Sequence, residues 1–129
     1  MSIEYAKRDA HFSYKRAKEI YYQSIYDFIN DKIKEFDFKV NYVGIQYPCY
    51  GNSIEPLLIG FDEIYQEDVV SMKESIDLDF QENIEIVHMF HDYLIEHNYF
   101  NVLPTLMKRL KNDLEKHLNL EILLFEMDD

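Results

Sequence analysis

His88-Met89-Phe90-His91-Asp92 is the densest cluster of potential metal ligands in this chain, and Glu85 precedes His88 by three residues. Glu-x-x-His is the spacing by which the helices of di-iron proteins present a carboxylate and an imidazole together. On a helix Glu85, His88 and Asp92 share one flank, while His91 falls on the apolar stripe. A di-iron site needs a second such motif on another helix, and the sequence holds none. A core His91 beside a solvated polar edge is the simpler reading, so no metal and no cofactor is assigned.

Asp77-Leu78-Asp79-Phe80-Gln81 opens like a calcium loop. The glycine and the final glutamate such a loop requires are replaced by Glu82 and His88, so the motif is absent. Cys49 sits in a loop-like setting and five histidines lie elsewhere, but a thiol nucleophile needs a base oriented against it, and no motif ties any of them to Cys49. No glycine-rich phosphate loop, Gly-x-Ser-x-Gly elbow or Cys-x-x-Cys pair is present. With 25 carboxylates, picking two as an acid–base pair carries no information. The sequence reads as a non-enzyme.

Carboxylates and tyrosines together say more. Between Val40 and Met107 lie twelve carboxylates and one basic residue, Lys73, whereas both flanks are close to balanced. Most of the net charge of −12 therefore sits in one stretch. Within it, Tyr47, Tyr50 and Tyr65 lie close to Glu55, Asp62, Glu63, Glu67, Asp68, Glu74, Asp77 and Asp79. Tyrosine offers a stiff amphipathic anchor at interfaces. Carboxylates around such anchors speed encounter with a basic partner. These eleven residues are the expected partner-binding set.

The elements that would position them follow from periodicity. A long helix is expected over about Ile3–Phe36, with Ile3, Ala10, Tyr14, Ala17, Tyr21, Ile25 and Phe28 on one stripe. A second stripe, Tyr22, Tyr26, Ile29 and Ile33, is expected to be covered by other helices of the fold or, less simply, by a second copy in a homodimer. From Phe38 the period becomes two, giving a strand over about Phe38–Tyr47 with a β-bulge at Val43-Gly44, where the parity switches. An aromatic loop at Tyr47–Asn52 then leads to a second strand, Leu57–Phe61, as a hairpin. Asp62–Glu82 reads as a short helix followed by an extended segment. A helix over Ile84–Asn98 and another begun near Pro104 follow. Leu120–Met127, apolar on both parities, reads as a strand covered on both faces. The expectation is one α+β domain over residues 1–129: a long N-terminal helix and a small antiparallel or mixed sheet packed against three or four helices.

A single cysteine, no apolar leader and no run long enough to span a bilayer lead to the expectation of a soluble, cytoplasmic protein. Its negative charge disfavours direct binding to nucleic acid or to anionic membrane. Aromatic residues make up 16%, which argues against a disordered acidic chain. The expected function is an inhibitor that neutralises a basic protein, as the immunity protein of a nuclease-type toxin does. The alternatives are a nucleic-acid mimic acting on a DNA-binding defence protein, a homodimeric regulator, or an enzyme without a recognisable motif.

Overall fold

The computed structural model describes residues 10–48, 57–99 and 101–127, with the side chains of residues 10–13 not described. The chain folds as α1 (Ala10–Ile33), β1 (Tyr42–Pro48), β2 (Leu57–Asp62), β3 (Glu74–Leu78), a 3₁₀ turn (Gln81–Asn83), α2 (Ile84–His97), α3 (Val102–His117) and β4 (Glu121–Met127). The strands form one mixed sheet of order β3-β2-β1-β4. β2 is antiparallel to both β1 and β3, and β4 runs parallel to β1. This is the expected α+β architecture.

Both stripes of α1 are used inside the chain. Along the first, Tyr14 stacks on Tyr93 at 4.5 Å, and Tyr21 meets Phe90 at 5.3 Å and Phe80 at 5.4 Å. The second faces α3. Tyr22 donates to Asp113, the Arg109 guanidinium lies 4.1 Å over the Tyr22 ring, and Tyr26 meets His117 at 6.0 Å. Burial and the Asp113 carboxylate push the Tyr22 hydroxyl well above the usual phenol range. Tyr22 and Ile29 are buried, and Tyr26 and Ile33 are packed against the same core. The second stripe is therefore covered by a helix of the same chain and is not an open face for a second copy.

α1 ends three residues before the expected Phe36. Two tight turns, Lys34 N–H to Asp31 and Glu35 N–H to Lys32, close it, and Phe36 then turns onto Phe38 and Phe61. β1 begins at Tyr42, and its register with β2 and β4 is unbroken through Val43 and Gly44, so the expected bulge is absent. The parity switch lies earlier, at Asn41. Its N–H goes to Asp62 in β2 while its C=O accepts from Glu121 in β4. A regular strand residue points both groups to one side.

Val43, Ile45, Tyr47, Leu57, Ile59, Phe61, Leu78 and Ile122 line the helix-facing side of the sheet. On the outer side Gly44 opposes Gly60. Residues 63–73 form an irregular loop there, where a short helix was expected. Its Val69 and Met72 are buried and occupy the notch that the two glycines leave. A Cβ on Gly44 would meet both side chains at 2.9 Å. β4 is an edge strand. Ile122 is buried but Leu123, Leu124 and Phe125 are only half-buried, so full cover on both faces was an overestimate. The extended segment after the loop is β3, α2 matches its expected span closely, and α3 begins two residues before Pro104.

Candidate functional site

The eleven expected partner-binding residues do not share one face. Tyr50 and Glu55, like Cys49, lie outside the described residues. Tyr47 is 3% exposed, on the helix-facing side of β1, and its hydroxyl donates to Glu126 at 3.3 Å. It is a core residue and leaves the set.

Asp62 leaves it as well. At 5% exposure it is the one buried acid among the described residues, and its carboxylate organises the loop that follows. It accepts the N–H of Glu63 at 2.7 Å, of Ile64 at 3.2 Å and of Lys73 at 2.8 Å, with the Gln66 amide at 3.4 Å. Burial alone would push this carboxyl up. The N–H groups of Ile64, Lys73 and Glu63 and the Gln66 amide outweigh burial and hold it below the ordinary carboxylate value.

The loop pinned in this way exposes Glu63, Glu67 and Asp68, together with Ile64, Tyr65 and Val70 at 63%, 58% and 71% exposure. Large apolar side chains in solvent, set among carboxylates on a held loop, are the ordinary make-up of a binding surface. Two of these acids also have local partners. Glu63 is 4.0 Å from Lys73, and Asp68 accepts the Ser71 N–H at 2.8 Å. Tyr65 meets Tyr42 edge-on at 6.0 Å and lines a groove along β4.

Of the remaining acids, Asp79 alone is brought together with other carboxylates. Glu74 and Asp77 are exposed on β3, the other edge strand, and Asp79 follows it. Beyond β3, Asp79 and Glu82 face Asp27 and Asp31 of α1 across a cleft of about 480 Å³, which Ser24, Gln81 and Asn83 also line. Two side-chain contacts fix the turn at its floor. Asn83 donates to Ser24 at 3.1 Å, and Asp79 accepts the Gln81 N–H at 3.0 Å. Gln81 itself has φ 38, a left-handed backbone that costs a non-glycine residue about 1 kcal/mol.

Among the described residues no Lys, Arg or His lies within ion-pair distance of Glu74, Asp77, Asp79, Glu82, Asp27 or Asp31. The four cleft acids thus form one acidic strip, while Glu74 and Asp77 stand outside it and project from β3 to opposite faces of the sheet. Sequence reasoning missed Asp27 and Asp31 because they belong to the balanced N-terminal flank. Their i,i+4 spacing on a polar helix face was the available signal.

The His88–Asp92 cluster stays on α2. His91 is half-buried with its ring 4.0 Å from Asp92, while Glu85 and His88 are exposed. Among the described residues no three His, Cys, Asp or Glu side chains converge to hold a metal ion. No described helix is long and apolar enough to cross a membrane. No protein family, curated protein or solved structure matches this chain.

Proposed function

We propose that this chain is a cytoplasmic protein-binding inhibitor whose acidic strip captures a basic protein, with a nuclease-type toxin as the partner class. The observation that carries the reading is the strip itself: Asp79 and Glu82 with Asp27 and Asp31, lining an open cleft without a neighbouring cation among the described residues. Carboxylates with an internal cation are already neutralised, as Glu19 is by Arg109 and Glu115 by Lys111. Those in the strip keep their field for a partner. A nuclease holds phosphates with Lys and Arg, so occupying those groups blocks its substrate directly.

The charge distribution favours an inhibitor over a nucleic-acid mimic. Lys108, Arg109 and Lys116 are exposed on α3, whereas a mimic needs carboxylates over most of its surface. The test is stopped-flow association with a basic nuclease domain encoded beside this gene. The rate should fall at least about tenfold between low and physiological salt. Asp79→Lys with Glu82→Lys should slow it further, and Glu19→Lys should change it little. A salt-insensitive rate, or equal effects of all three substitutions, would refute the reading. Competition with DNA for several unrelated DNA-binding proteins would replace it with the mimic.

A further inference from the structure

The two edge strands of the sheet differ in length and in the residues at their centres. β4 runs seven residues with Leu123, Leu124 and Phe125 at its centre, all half-buried. Natural edges are blunted by charge, proline or brevity. β3 is short and carries Glu74 and Asp77. β4 has none of these devices between Leu123 and Phe125.

Its open hydrogen-bonding groups can be counted. The Glu121 N–H bonds to Asn41, so Glu121, Leu123, Phe125 and Met127 direct their backbone groups toward β1. Ile122, Leu124 and Glu126 direct theirs outward. At Ile122 both groups are already taken by α3. Glu115 accepts its N–H at 2.8 Å, and the Lys111 ammonium donates to its C=O at 2.6 Å. Lys111 also donates to Glu115 at 2.7 Å. Among the described residues nothing meets the outward backbone groups of Leu124 and Glu126. Beside them runs a groove of about 390 Å³, lined by Tyr65 on one side and by Lys108 and Lys111 on the other.

We propose that a second copy of this chain occupies this groove, β4 pairing antiparallel with β4 about a two-fold axis at Phe125. In that register Leu124 of each copy pairs with Glu126 of the other, which uses the two open residues of both strands and makes four backbone hydrogen bonds. The ladder stops at Ile122, where α3 has already closed the edge. Paired residues project to the same side of a sheet. The Glu126 side chain lies on the helix-facing side, where it accepts from Tyr47. Pairing therefore carries it to the groove wall formed by Lys108 of the other copy. Lys108 is exposed and has no ion pair among the described residues. The two-fold repeats this acid–base contact, so the groove is complementary to its own edge strand. The interface leaves β3 and the acidic cleft of both copies facing outward. The inference is thus independent of the proposed inhibitor role.

Light scattering across a concentration series tests it. The mass should approach twice 15.7 kDa at high concentration and fall toward 15.7 kDa on dilution. Leu124→Pro deletes an outward N–H without touching the β1 ladder, and it should hold the protein at the single-chain mass. A charge exchange provides the control should that variant unfold. Glu126→Lys and Lys108→Glu should each raise the dissociation constant at least about tenfold, and the two together should restore it. A single-chain mass throughout would overturn the proposal. So would a dimer that survives Leu124→Pro in a folded protein, or single charge reversals that the double variant does not rescue.

Discussion

Asp62 shows how one residue can look like part of a binding surface and belong to the scaffold. Its four acceptor contacts replace the hydration that a 5% exposed carboxylate gives up, and one of them reaches Lys73, eleven residues further along the chain. Asp62→Asn puts an amide donor against the N–H of Lys73 or of Glu63. It should destabilise the fold by about 3 kcal/mol at neutral pH in urea unfolding. The pH dependence follows from the direction of the shift. The folded carboxyl lies below its ordinary value of 3.8, so the fold prefers the ionised form. The stability it contributes is complete above that value and disappears as pH falls through the depressed folded value. The gap between wild type and Asp62→Asn should therefore stay constant from neutral pH down to about pH 5 and close in more acid solution. A gap that persists undiminished at pH 2 would assign the effect to shape rather than charge.

At the scale of elements, legibility followed the distance over which each element is determined. α2 and α3 were readable because their apolar periods run for several turns. Their ends carry ordinary signals, such as Asn98 in the left-handed conformation at φ 55 and Pro104 in the first turn. The 63–73 loop was not readable. Val69 and Met72 are three apart because a turn joins them, Met72 N–H to Val69 C=O at 3.1 Å, and this spacing imitates a helix. What fixes the loop is Asp62 at one end and the Gly44–Gly60 notch beneath it, both tertiary. Tyr47 was legible in hindsight, because it shares parity with Val43 and Ile45 and so points to the core. The site was half legible: Asp79 and Glu82 stood in the acidic run, whereas Asp27 and Asp31 join them only through folding. The notch gives a test at this scale. A Cβ on Gly60 would meet the Val69 side chain at 3.0 Å and the Met72 Cβ at 3.1 Å. Gly60→Ala should cost about 2 kcal/mol by overpacking, and Met72→Ala about 2 kcal/mol by loss of buried volume. In a double-mutant cycle the pair should cost clearly less than the sum, because each relieves the other. Additive costs would mean that the loop does not rest on the glycines.

The whole molecule is electrically lopsided, and this has a thermodynamic signature that needs no partner to observe. A net charge of −12 on 129 residues opposes compaction. The opposition is strongest where carboxylates face one another without a cation, and the cleft between α1 and the 3₁₀ turn is such a place. Asp27 and Asp31 repel across one helical turn, while Asp79 and Glu82 face them from the far wall. A chain selected for stability alone would neutralise this strip, as it does at Arg109 and Lys111. Asp31→Asn and Glu82→Gln should each raise the melting temperature, the first by relieving an i,i+4 repulsion of about 0.3 kcal/mol. Moderate salt should raise the wild-type melting temperature and shrink the gain from both variants by screening. The same substitutions should slow capture of a basic partner. Stability gained and association lost at the same residues is the trade-off expected of a functional acidic face. If neutralising the strip lowers the melting temperature instead, its carboxylates hold the fold together, and the capture surface must be sought on the Ile64–Val70 loop.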